Sequence, residues 1–127
     1  MSVESTLDAL FGADAALVAL VGANRGVNGR LPKDCGGKPA LSWQRIGMEP
    51  TADLTSGGDL DDVRVQIDAW ADTPEQAEAV ARRARDLLAP AAPGGLARLA
   101  TWDGPSFSIE DRIWRVRTDY FIWQERN

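Results

Sequence analysis

Histidine is absent from the 127 residues, and cysteine occurs once, at Cys35. Histidine is the commonest general base near neutral pH and a frequent metal ligand, so Ser-His-Asp and Cys-His catalysis, His-containing zinc sites and His-ligated haem are all excluded. An enzyme built on this chain would have to work with carboxylates, Lys, Arg, Tyr or a single thiol. A lone cysteine has no partner within the chain, which excludes an internal disulfide framework and points to a reducing compartment. Long apolar runs are missing too. No stretch approaches the ~20 residues a membrane-spanning helix needs. The start Met1-Ser2-Val3-Glu4 lacks the basic region and apolar core of a secretory signal, so synthesis in the cytoplasm is the expectation. Positive charge is in short supply, with 14 Lys plus Arg against 19 Asp plus Glu and a formal charge of −5. Such a field repels phosphate backbones and disfavours a dedicated nucleic-acid binder.

What is present fits one domain over residues 1–127, with 44% hydrophobic and 26% charged residues. Val3, Leu7, Leu10 and Phe11 recur at helical spacing behind Ser2, and Gly12 stops the run. Asp14 is placed to cap a second short helix whose apolar residues are Leu17, Val18, Leu20 and Val21, with Gly22 as its left-handed end. The segment from Ala23 to Pro39 is rich in glycine and proline and reads as a loop around one short strand near Arg30-Leu31. Leu41 to Met48 reads as a strand, and Glu49 to Asp62 as a second loop. Asp62 to Trp70 is the clearest strand, because Val63, Val65, Ile67 and Ala69 alternate with Arg64, Gln66 and Asp68, one face core and the other polar. Thr73-Pro74-Glu75-Gln76 then opens a helix with a capping box and proline at its first position. Ala77, Val80, Ala81, Ala84, Leu87 and Leu88 form that helix's buried stripe, and Pro90 ends it.

Leu96, Leu99 and Trp102 suggest a short strand reaching Asp103-Gly104-Pro105. Ile113 to Gln124 is longer. It places Trp114, Val116, Thr118, Tyr120 and Ile122 on one face and Arg115, Arg117 and Asp119 on the other, until Phe121 and Trp123 add apolar groups to the polar side. Its length implies a bulge or an overhang, and the Phe121–Trp123 pair is a candidate contact with another subunit. The sum is an α+β domain: a mostly antiparallel sheet, one long amphipathic helix packed on one face, and short N-terminal helices.

The chemical motifs are weak. Gly36-Gly37-Lys38 has Pro32 where a P-loop needs glycine and Pro39 where it needs Ser or Thr. The acidic stretch from Asp53 to Asp62 misses the spacing of an EF-hand loop and its bidentate glutamate. Cys35 has no histidine to activate it. Thirteen aspartates and six glutamates permit a carboxylate acid–base pair, but sequence does not say which of them converge. The expectation is therefore no catalytic residue, no metal and no cofactor. Arg112, Arg115 and Arg117 around the last strand and Arg82, Arg83 and Arg85 on the helix read as surface pairs with acids. The sharper alternative is a charge-complementary interface between copies. Of the five tryptophans, Trp43, Trp70, Trp102, Trp114 and Trp123, most read as core, although tryptophan also concentrates at interface hot spots.

Taken in order, several blocks resemble the small tail-completion or tail-terminator proteins of tailed bacteriophages and gene transfer particles. They are Ala15-Ala16-Leu17-Val18-Ala19-Leu20-Val21-Gly22, Arg30-Leu31-Pro32, Pro39-Ala40-Leu41-Ser42-Trp43-Gln44-Arg45-Ile46, Arg64 to Ala71, Thr73 to Ala77 and Trp114 to Trp123. The loop from Gly26 to Lys38 departs from that pattern in length and glycine content. The resemblance implies a structural protein of the tail and neck, made in the host bacterial cytoplasm and assembled into the virion. Its copies would close into a ring, typically a hexamer, that caps the head-proximal end of the tail tube. Its partners would be itself, the tail-tube protein and the head connector, with DNA passing through the lumen without specific binding. Arg30, Pro32, Leu54, Leu60, Phe121 and Trp123 are the expected interface residues. Alternatives are another neck component, an acidic monomeric inhibitor of the immunity type, and a small carboxylate-based hydrolase.

Overall fold

The structure, a computed structural model, describes residues 3–22, 25–26, 39–50, 60–89, 97–109 and 112–125. Helix α1 spans Val3–Ala13 and α2 spans Ala15–Val21. Asp14 sits between them in an extended conformation and caps α2, accepting a hydrogen bond from the Leu17 amide at 2.8 Å. Gly22 ends the helix at φ +56°. Leu17 and Val21 face the core, whereas Val18 and Leu20 turn outward. The apolar run is thus half exposed, because a seven-residue helix offers the core only one stripe.

Strand β1 is Arg25–Gly26, β2 Ala40–Pro50 and β3 Leu60–Ala71. Helix α3 runs Pro74–Leu88, with Thr73 capping it by accepting from the Gln76 amide at 3.2 Å. Its buried stripe is Ala77, Val80, Ala81, Ala84 and Leu88, the 3.6-residue pattern read from sequence. Strands β4, Ala97–Ser108, and β5, Ile113–Glu125, complete the chain. The order across the sheet is β1-β2-β3-β5-β4, antiparallel except for the β1–β2 pair. The expected short strand near Arg30-Leu31 falls outside the described residues, and the two-residue strand observed lies five positions earlier.

All three helices pack on one face of the sheet. Leu7 and Phe11 of α1 join Trp43, Val63, Val65, Ile67, Val116, Tyr120 and the α3 stripe in one buried cluster. The Phe11 and Trp43 rings meet edge to face at 5.2 Å. Tyr120 is fully buried and its hydroxyl has no hydrogen-bond partner among the described residues. Burial, partly offset by the neighbouring Thr118 hydroxyl, pushes its phenol up to about 12. It is a core residue rather than a reactive one.

Two expectations are corrected by the sheet. The strand before Gly104 does not stop there: β4 continues through a cis Gly104–Pro105 bond to Ser108. Nor does β5 bulge or overhang. It pairs with β3 without interruption from Trp114 to Glu125, because β3 has the same reach. The irregularities fall in its other neighbour, with extra β4 residues between Leu99 and Thr101 and between Asp103 and Ser106. Only Gly fits at 104, since φ is +117° and a Cβ would stand 2.7 Å from the Arg115 carbonyl oxygen. On the face read as polar, Asp68 is nonetheless only 1% exposed. Arg117, opposite it on β5, donates from Nε to Oδ1 at 3.0 Å and from Nη2 to Oδ2 at 3.4 Å, and that pairing lets the carboxylate be buried.

Candidate assembly surface

No described helix packs on the other face of the sheet, and register fixes what stands there. Even-numbered β3 residues meet odd-numbered β5 residues: Arg64 opposite Phe121, Gln66 opposite Asp119, Asp68 opposite Arg117 and Trp70 opposite Arg115. From β4 come Arg98 beside Phe121, Thr101 beside Asp119 and Asp103 beside Arg117. This face is a lattice of guanidinium, carboxylate and aromatic groups. At one end the Arg115 guanidinium lies 5.6 Å from the Trp70 ring centroid, and the Trp70 indole donates to Ser42 Oγ at 3.0 Å. At the other end Arg64 pairs with Asp119 at 3.0 Å. There the Phe121 ring takes two cations, Arg98 at 4.8 Å and Arg64 at 5.8 Å.

The cations differ in how far their charge is answered. Arg64 and Arg117 each have a carboxylate. On α3, Arg82 bonds Glu78 one turn back, Arg83 grips Asp14, and Arg85 lies near Asp86 and over Trp102. The α3 arginines are thus satisfied within the molecule, as the bland reading of that cluster expected. Arg98 is exposed and takes part in none of the ion pairs among the described residues. Sequence reasoning passed over Arg98, because its significance depends on the β4–β5 register that sets it against Phe121. The alternation Ala97-Arg98-Leu99 was the one available signal.

Of the six expected interface residues, three converge. Leu60 pairs with Glu125, Asp62 with Trp123 and Arg64 with Phe121, so Leu60, Trp123 and Phe121 occupy neighbouring rungs at one end of the sheet. Phe121 is half-buried under its two guanidiniums rather than bare. Leu54 lies outside the described residues. Arg30 and Pro32 also lie outside them, as do Cys35 and Gly36-Gly37-Lys38.

For chemistry the surface offers little. Among the described residues no three acidic or cysteine side chains come together as a metal ligand set. The Asp14 carboxyl is held down at about 2 by hydrogen bonds from Arg83, at 2.6 and 2.8 Å, and from the Leu17 amide. That is the signature of a structural cap, whereas a general acid requires a raised pKa. No described helix is long and apolar enough to cross a membrane.

Comparison with known proteins adds two observations. The family model described as "Tail completion protein gp17" matches residues 6–125. A chain from the structure titled "Virion of native gene transfer agent (GTA) particle" has a similar fold, with a TM-score of 0.73 at 18% identity, covering 98% of this chain and 96% of that one. No curated protein sequence matches the chain.

Proposed function

The chain belongs to the tail completion protein gp17 family, a family of structural tail proteins, and from that membership we propose that it is the tail terminator of a phage or gene transfer particle. Copies associate head to tail into a ring, sixfold in the arrangement the resemblance implies. The ring caps the head-proximal end of the tail tube and joins it to the head connector. The observation that carries this reading is the extent of the family match, which spans every described strand and helix except the first residues of α1. The fold's likeness to a chain of a gene transfer agent virion supports it.

The geometry is suited to the role. A heterologous ring needs two different, mutually complementary sides. This sheet offers two different edges. β4 lies at one edge, and beyond Ser42 the other edge strand, β2, pairs with no described strand on its outer side. Unpaired edges are ready sites for strand addition between copies. The net charge of −5 would let DNA pass a lumen without adhering. Such a part acts by shape and contact rather than by catalysis.

The test is tube length. Purified tail-tube protein is polymerised with and without this protein, and the products are measured by electron microscopy. Tubes that stop growing at one end, each bearing a terminal ring, are expected. Tubes of unchanged length with bare ends would overturn the assignment.

A further inference from the structure

Strand β4 is an edge of the sheet, and its register with β5 assigns its residues to faces. Arg98, Thr101 and Asp103 stand opposite Phe121, Asp119 and Arg117, alternate residues of β5, so all three lie on the face that bears no described helix. Leu99 and Trp102 stand opposite Tyr120 and Thr118 on the helix-covered face, and both are only half-buried. Arg98 and Asp103 are exposed, and neither takes part in any ion pair among the described residues. They share a face because of the extra β4 residue between Leu99 and Thr101. In a regular strand, residues five apart point to opposite sides. Thr101 is thus the midpoint of a short pattern, with a cation at one end of it and an acid at the other.

We propose that β4 pairs antiparallel with β4 of a second copy, about a twofold axis through the Thr101 position. The strand from Arg98 to Asp103 is its own complement. Turned end for end, it sets Arg98 against Asp103 of the second copy and Leu99 against Trp102 of the second copy, each contact occurring twice. Two ion pairs form on one face of the joined sheet and two apolar contacts on the other. An irregular edge ordinarily deters strand addition, because a regular strand has no residue to match the bulge. A second β4 carries the same extra residue at the same place, so the irregularity that excludes other strands selects this one. Pro105, which has no amide to donate, ends the ladder after Asp103. The pair is isologous and closes on itself, whereas the ring needs head-to-tail contact, so this contact does not rest on the terminator reading. It is a state outside the ring, since copies joined through β4 cannot offer that edge to a ring neighbour.

Sedimentation equilibrium and native mass spectrometry of the purified chain, without tube protein, test the contact. The wild type is expected as a concentration-dependent dimer. Arg98→Glu alone or Asp103→Lys alone sets like charges together at both junctions, and each should raise the dimer dissociation constant about tenfold or more. Mixed in equal amounts, the two variants should recover dimers containing one copy of each, because every junction then joins opposite charges. Arg98→Glu and Asp103→Lys in one chain should recover dimers as well. A wild type that stays monomeric at every concentration overturns the proposal. So does one that passes directly to larger rings, a result that leaves the terminator reading standing. Dimers of either single variant at wild-type concentrations also overturn it, as does the absence of mixed dimers or of dimers of the doubly reversed chain. If circular dichroism shows a reversed variant unfolded, Arg98→Gln and Asp103→Asn replace the pair. Each of these should weaken the dimer at low salt, and unchanged affinity rejects the contact. Intact dimers of a protein that leaves tube length unchanged would instead refute the terminator reading alone.

Discussion

Asp14 does two jobs with one carboxylate: it caps α2 and receives a fork of two hydrogen bonds from Arg83, 69 positions away in sequence. The cap is legible from the sequence, because an aspartate stands directly before an apolar helical run. The fork is not, because nothing local tells Arg83 which acid it will meet. Asparagine caps as well as aspartate, so Asp14→Asn isolates the ion pair. The folded pKa lies below the ordinary value, 3.8 falling to about 2. The pair's contribution is therefore complete above pH 4 and is lost as pH drops toward 2. Thermal melts should show Asp14→Asn less stable than the wild type at pH 7, with the gap closing by about pH 2. A gap that persists at acid pH would mean the carboxylate charge is not what matters. Gly104 makes the complementary point about backbone. With φ +117° and the Arg115 carbonyl 2.7 Å from where a Cβ would sit, Gly104→Ala should destabilise by about 1–3 kcal/mol in denaturant unfolding.

Among the elements, periodicity was most informative where one face meets a helix and the other does not. The α3 stripe and the inward residues of β3 and β5 follow directly from spacings of 3.6 and 2. The outer face of the sheet was harder to read. Alternation labels Asp68 and Arg117 polar, but only register reveals that they neutralise each other and are buried as a pair. Strand ends were equally opaque: Gly-Pro is ordinarily a stop, yet β4 accommodates it as an irregularity and continues to Ser108. The candidate surface was legible in part, since the break in alternation at Phe121 and Trp123 falls on β5 at the end where Arg64 and Arg98 meet the Phe121 ring. Arg98 and Arg64, which complete the cluster, required the pairing. Replacing Phe121 and Trp123 together by alanine should leave a folded chain, by circular dichroism, that assembles poorly. An unfolded product would show instead that the pair belongs to the core.

For the molecule as a whole, the absence of histidine and the family match over residues 6–125 agree with the proposed role, a part whose work is done by contact. The most direct measurement is native mass spectrometry of the purified protein over a range of concentrations, alone and with its tail-tube protein. A discrete closed ring, six copies in the expected arrangement, is predicted in at least one of the two samples. A strict monomer in both, indifferent to the tube protein at every concentration, would contradict the account.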